Sequence, residues 1–225
     1  MDLIDYLVKE GWLKTPRIIK AFKKIKRADF MFTRRSLPQA GVGRSGQVKR
    51  LAELNEAIPI GFSQTISQPL TVAFMFEQLE PKPGDSILDI GSGSGWTTAL
   101  LAEIVGSKGK VTAIEIIPEL KEFGEKNTAK YNFVKKGTAQ FICADGAKGY
   151  KSRAPFDKIL VSAAARKVPS AWKEQLKIKG RIVCPIESSI LTIIKKSERD
   201  FEQTEHPGFA FVPLVNVFNS SGQTL

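Results

Sequence analysis

The sequence predicts an α/β fold in which a mostly parallel sheet, flanked by helices, follows a helical N-terminal segment. Three observations predict it. From residue 81 onward, short apolar runs alternate with amphipathic helical stretches. One run leads directly into the glycine-rich turn "DIGSGSG", 89–95, and a helical segment follows at once. The first 80 residues lack this alternation and read as helical. The chain therefore divides into an extension, 1–80, and a sheet-containing domain, 81–225.

In the extension, Leu3, Ile4, Leu7 and Val8 form one apolar stripe. Thr15 and Pro16 open a second helix as N-cap and first helical residue. Its buried face is Ile18, Ile19, Phe22 and Ile25, with lysines and arginines opposite. Residues 38–50 carry Pro38, Gly41, Gly43, Gly46 and a basic patch, and predict a loop. In "GFSQTISQP", 61–69, two hydroxyls precede Pro69, which starts another helix with Ser67 at its mouth.

In the larger domain, "SILDIG" (86–91) is a buried strand ending in glycine and "WTTALLAEIV" (96–105) a helix. "KVTAIEI" (110–116) is a strand, and "PELKEFGEKNTAKYN" (118–132) a helix begun by Pro118. "AQFICAD" (139–145) and "FDKILVSAA" (156–164) are strands, and "PSAWKEQL" (169–176) a short helix. Strands alternating with helices require right-handed crossovers, hence parallel pairing. "GRIVCPI" (180–186) and "SILTIIKK" (189–196) have no helix between them, so that edge is antiparallel.

Composition narrows the function. Hydrophobic residues make up 42% and charged residues 25%, the balance of a soluble globule. The apolar runs fall far short of the ~18 residues of a membrane span, and "MDLIDYLVKEGW" is too acidic for a signal peptide. Cys143 and Cys184 sit in strand-like runs and read as buried thiols of a cytoplasmic protein. The net charge of +11 clusters at 17–27, 33–36 and 43–50. It reads as solvated faces; a nucleic-acid partner is possible but not favoured.

The glycine turn identifies a ligand class. A dinucleotide-binding turn places a small residue where this chain has Trp96. Asp89, just before the first glycine, would repel a pyrophosphate but suits a cationic amino acid end. Glu115 ends the next strand about 20 residues on, where an acid can take both ribose hydroxyls. Asp145 and Gly146 end the third strand, placed to receive an adenine amino group. Each acid alone could be a helix cap or turn residue. Three acids at three strand ends, converging on one crevice, point to S-adenosylmethionine.

The chain resembles the class I S-adenosylmethionine methyltransferases, Rossmann-like with a seven-stranded sheet, and among them the protein-L-isoaspartate O-methyltransferases. The resemblance runs through "RIIKAFKKIKRADF", "IPIGFSQTISQP", "ILDIGSGSGWTTALLAE", "ADG", "FDKILVSAAA", "EQLKIKGRIVCPI" and "FVPLV". "QTISQP" is its most specific piece. The resemblance implies methylation of the carboxylate exposed by isoaspartyl residues in damaged proteins, as a repair step, with S-adenosylhomocysteine as product. It implies Ser67 as the active-site serine. It implies cofactor contacts from Gln64, Thr65, Ile66, Ser67, Asp89, Gly91, Ser92, Gly93, Glu115, Ile116, Asp145 and Gly146. Substrate contacts would come from Thr65, Ser67, Ala163, Ala164, Val212 and Val215, with no metal. The partners are isoaspartyl peptides and proteins, with no membrane. A carboxylate with a pKa near ~4 is ionised at neutral pH and can attack a sulfonium methyl without a base. A hydroxyl beside no base then serves to orient it.

The chain departs from the family pattern at Lys179 and Glu187, where glycine is usual, which predicts reshaped loops there. "AAARKVP" brings Arg166 and Lys167 to the substrate side, and Leu70 stands where an aromatic or histidine is common. Two alternatives share the fold: an RNA methyltransferase, and a degenerate relative that binds S-adenosylmethionine without turnover. Against the first, the chain has no N-P-P-Y-type motif and no catalytic cysteine in a suitable loop.

Overall fold

The computed structural model describes residues 1–31 and 45–214. Helices α1 (Leu3–Lys9) and α2 (Pro16–Lys24) come first, then a short 3-10 turn, Arg27–Phe30, and α3 (Ser45–Ala52). A hairpin follows, β1 (Ile58–Gly61) and β2 (Gln64–Ile66), leading into α4 (Pro69–Leu79). The main sheet contains β3 (Ser86–Ile90), β4 (Lys110–Glu115), β5 (Ala139–Cys143), β6 (Phe156–Val161), β7 (Leu176–Ile186), β8 (Ser189–Lys195) and β9 (Phe201–Pro207). Helices α5 (Trp96–Val105), α6 (Pro118–Ala129) and α7 (Ser170–Glu174) are its crossovers. The strand order is β5-β4-β3-β6-β7-β8-β9, parallel as far as β7 and antiparallel for β8 and β9.

The expected mostly parallel sheet with an antiparallel edge is present. Several local expectations are corrected. Residues 58–66 form a hairpin, so the first 80 residues are not all helical. Its two turn residues, Phe62 and Ser63, both have positive φ (52° and 55°), which a two-residue hairpin turn requires but neither residue type advertises. Part of the 38–50 loop is helix α3, where Val48 and Ala52 give a spacing of four and a buried face. The seventh strand, β9, is polar and mostly exposed, an edge strand without an apolar run to announce it. Cys184 is buried but Cys143, on the outermost strand β5, is exposed. Lys179 and Glu187 keep left-handed φ values of 66° and 52°, so the backbone there retains the conformation a glycine would adopt.

The N-terminal helices share one core with the sheet domain. Phe22 of α2 meets Trp96 of α5 edge-on at 5.7 Å and Phe76 of α4 at 5.9 Å. This explains the large residue at position 96: its ring packs toward the extension, 3% exposed, rather than between helix and strand. No helix among the described residues is long and apolar enough to cross a membrane.

Candidate active site

Four consecutive loops at the carboxyl ends of β3, β4, β5 and β6 line an open cavity. In a parallel sheet this is where loops diverge and a ligand crevice opens. The first loop, Gly91–Gly95, hangs from β4: the N–H groups of Gly91 and Ser92 donate to the Ile114 carbonyl at 2.9 and 3.1 Å. Helix α6 grips its far side, with Asn127 Nδ2 on the Ser94 carbonyl (3.0 Å) and Thr128 Oγ1 on the Gly95 carbonyl (3.3 Å). The approach is so close that a Cβ on Gly95 would lie 2.5 Å from the Gly124 carbonyl oxygen, and its φ is +84°. Only glycine fits there.

Glu115, 6% exposed, lines the cavity. One carboxylate oxygen accepts from Gly93 N–H at 2.9 Å, the other from Ile116 and Ile117 N–H at 2.9 and 3.1 Å. The carboxylate therefore ties the glycine loop to the β4 end; Oε1 already accepts two bonds, and Oε2 keeps one lone-pair site for a ligand. Among the described lining residues Glu115 is the only titratable side chain.

The cavity brings together Gln64, Thr65, Ile66, Ser67, Gly91, Ser92, Gly93, Glu115, Ile116, Gly146, Ala163 and Val212. Three expected residues do not line it. Asp89 is fully buried beneath the glycine loop, where one oxygen accepts from Thr97 (2.9 Å) and Thr98 (2.6 Å) and the other has no partner among the described residues. Burial, opposed by those two hydroxyls, pushes its carboxyl up to about 6. Asp145 caps the 3-10 turn after β5, accepting from Ala147 N–H at 2.9 Å. Ala164 stands behind the wall, and Val215 lies outside the described residues. Gly146, by contrast, lines the cavity itself: a Cβ there would strike Ile90 at 2.4 Å.

The opposite wall is assembled from distant stretches. Segment 212–214 pairs with Ala164, just beyond the end of β6, as a short parallel bridge, with Ala164 N–H donating to the Val212 carbonyl and Leu214 N–H to the Ala164 carbonyl, both at 2.8 Å. This places Val212, Pro213 and Leu214 over the cavity. Ser67 precedes α4, whose N-cap is Gln68 with no side-chain capping bond. Among the described residues nothing hydrogen-bonds the Ser67 hydroxyl, so it is not spent as a helix cap. The first turn of α4 offers an anion at Ser67 little pull: Pro69 has no N–H, and Leu70 N–H donates to Asn55 Oδ1 at 3.0 Å. His206 is remote from the cavity, packed edge-on against Phe74 at 5.0 Å.

Sequence reasoning missed Ile90, Ser94, Trp96, Thr97, Ile114, Ile117 and Ala144 as lining residues, and reached Ser162, Pro213 and Leu214 only as parts of the segments 162–165 and 212–215. Most are direct neighbours of predicted positions, so strand-end proximity alone would have found them.

The protein-L-isoaspartate(D-aspartate) O-methyltransferase family model matches residues 1–219. The chain belongs to that family. It is 35% identical to the protein-L-isoaspartate O-methyltransferase of Staphylothermus marinus, over 96% of this chain and 93% of that protein. It is 38% identical to the corresponding Pyrococcus horikoshii protein, over 94% and 90%. Its fold matches a Plasmodium falciparum PCMT chain crystallised in complex with S-adenosyl-L-homocysteine, with TM-score 0.80 and 21% identity, over 95% of this chain and 96% of that one.

Proposed function

We propose that this chain is a protein-L-isoaspartate O-methyltransferase, which transfers a methyl group from S-adenosylmethionine to the side-chain carboxylate of isoaspartyl residues in damaged proteins. Beyond family membership, one observation carries the reading. The cavity pairs a hydroxyl-bearing wall, Thr65 and Ser67, with an acid-and-glycine wall in which Glu115 is the only titratable group among the described lining residues. Since Glu115 is already tied to three amides, it is poorly placed to act as a mobile base. Such a site suits an acceptor that arrives ionised.

The lining residues fit S-adenosylmethionine. Glu115 retains one acceptor site, on Oε2, for a ligand hydroxyl. Among the described residues the Ser92 hydroxyl, which lines the cavity, is buried without a partner, a costly arrangement for a chain with nothing to receive there. Gly146 has no room for a Cβ, which would meet Ile90 at 2.4 Å, so its backbone packs directly on that side chain at the cavity wall. We assign the main cofactor contacts to Gly91, Ser92, Gly93, Glu115, Ile116 and Gly146, with weaker flanking contacts from Gln64–Ser67. Asp89 and Asp145 support from behind, by holding the first turn of α5 and the turn after β5.

When bound, the cofactor supplies a methyl group on a positively charged sulfur. The chain supplies position and dryness. Ile90, Ile114, Ile116 and Ile117 on one side, and Val212 and Leu214 on the other, exclude water around the acceptor carboxylate, leaving it less solvated and more reactive. The Thr65 and Ser67 hydroxyls orient that carboxylate by hydrogen bonds, and Ala163 gives it room. No proton needs to move in this step, because the acceptor arrives as an anion. Exposed Arg166 and Lys167, near Ala163, attract acidic peptides. A cytoplasmic setting fits the two free thiols.

The test is methyl transfer from labelled S-adenosylmethionine to an isoaspartyl peptide beside its aspartyl twin. Base-labile label on the isoaspartyl peptide alone is expected. No transfer, or equal transfer to both, overturns the reading.

A further inference from the structure

Arg27 is 6% exposed and makes no ion pair among the described residues, the nearby Glu53 acting on it only at longer range. Burying a cation this way is costly, and burial lowers its ionisation to about 10. Its guanidinium instead collects five backbone carbonyls. Nη1 donates to Ala52 (3.3 Å) and Leu54 (3.0 Å), and Nη2 to Glu56 (2.6 Å), Ile66 (3.4 Å) and Ser67 (3.2 Å). It also lies over the ring of Trp96, itself a cavity residue, at 5.6 Å from the centroid. Two of the five carbonyls belong to the end of the hairpin that lines the cavity, and three to the segment leading into it.

The turn that carries Arg27 is fastened at its other side to α6 and the loop after it. The Tyr131 hydroxyl donates to Asp29 (2.6 Å) and accepts from Lys26 N–H (2.9 Å), Lys130 Nζ donates to the Asp29 carbonyl, and Phe30 stacks on Tyr131 at 5.8 Å. Helix α6 in turn grips the glycine loop. One short turn thus connects the element that holds the cofactor-side loop to the element that presents Ser67.

We infer that Arg27 is a positioning residue for methyl transfer, holding Ile66 and Ser67 at a fixed distance from the glycine loop so that the Ser67 hydroxyl meets the acceptor carboxylate. The inference rests on the proposed isoaspartyl reading for its chemistry, but the clamp itself is a statement about the free protein. A neutral or apolar residue would leave five carbonyls short of a donor. Lysine keeps the charge but offers three donors on one atom, which cannot span both segments.

Arg27→Lys tests this with two readouts. Amide hydrogen exchange across 64–68 in the protein alone should accelerate about tenfold or more relative to β3 amides. Methyl transfer at saturating peptide and cofactor should fall about 10- to 100-fold, the penalty of a small misplacement. Ile193→Ala, in the core of β8 and distant from the cavity, serves as the control matched for lost thermal stability. Should Arg27→Lys not fold, Tyr131→Phe at the exposed end of the same turn carries the same expectation on a scale of about threefold. Unchanged exchange at 64–68 in the folded variant overturns the clamp. So does a rate loss no greater than that of Ile193→Ala. A wild-type protein that ignores isoaspartyl peptides would instead overturn the functional reading, and the exchange result would still decide the clamp.

Discussion

The two walls of the cavity are built in opposite ways. The wall of Gly91–Ser94, Glu115–Ile117 and Gly146 comes from successive strand ends of one parallel sheet, and each loop is held by its neighbour's backbone. The wall of Gln64–Ser67, Ala163 and Val212–Leu214 comes from three stretches far apart in sequence, held by Arg27 and by a short bridge at Ala164. The first is a binding surface that the sheet produces almost unavoidably. The second exists only because particular long-range contacts assemble it. We propose a division of labour: the sheet wall contributes most of the affinity for the cofactor, and the assembled wall sets rate and substrate choice.

The sharpest way to break that division is Ser67→Ala. It should lower methyl transfer by about 10- to 1000-fold, since an orienting hydrogen bond is lost but no covalent step disappears. Affinity for S-adenosylhomocysteine, measured by calorimetry, should stay nearly unchanged. Full activity would make Ser67 a bystander. Complete loss with a trapped adduct would mean a covalent serine mechanism. His206→Ala should leave rate and pH profile unaltered, because that ring packs on Phe74 away from the cavity.

Glu115→Ala should produce the converse pattern. Removing a buried carboxylate that also holds three amides should weaken S-adenosylhomocysteine binding about 10- to 150-fold, roughly 1.5–3 kcal/mol. At saturating cofactor the rate should recover most of its loss. Wild-type affinity would end the assignment of this wall to the cofactor.

The same division explains what the sequence disclosed. Gly91, Glu115 and Gly146 sit at strand ends, and a strand end can be read from a local apolar run and its terminating residue. Ser67 and Val212 could be singled out only through the resemblance, because nothing near them in sequence reports the strand they face. Arg27 was invisible: in "RIIKAFKKIKR" it looks like its solvated neighbours, and only the folded chain shows five carbonyls around it. Asp89 was correctly placed at a strand end, but its direction was misjudged, because strand alternation gives the cavity to Ile90 and turns Asp89 beneath the loop.

Asp89 offers a pH test of the sheet wall. Its carboxyl lies at about 6 in the folded chain, chiefly through burial, against ~3.9 in an unfolded one. A raised folded-state value means the folded chain holds the proton more tightly. The group's stabilising contribution is therefore complete below about pH 4 and lost as pH rises through 6. Asp89→Asn removes that dependence. Its stability relative to wild type should climb between about pH 4 and 6 and level off above, by an amount on the order of 3 kcal/mol. Denaturant unfolding at several pH values checks it. A difference independent of pH would show that Asp89 is ionised throughout.

The smallest effect is expected where the chain departs from its family away from both walls. Lys179 lies in a bulge of β7, between the register pairs Phe156↔Leu176 and Lys158↔Arg181, and holds φ at 66°. A residue with a Cβ gives up about 1–2 kcal/mol in that conformation. Glycine relieves it, but loses about 0.5–1 kcal/mol through the greater freedom of its unfolded chain. The difference favours Lys179→Gly by about 1 kcal/mol or less, a rise of roughly 2–4 °C in Tm for a domain of this size. Neither cofactor affinity nor methyl-transfer rate should move, because Lys179 touches neither wall. A fall in Tm would show that the lysine side chain contributes more than the strain it imposes. A change in rate would show that the bulge communicates with the Ala163 segment through β6, and the separation of the walls would have to be redrawn to include it.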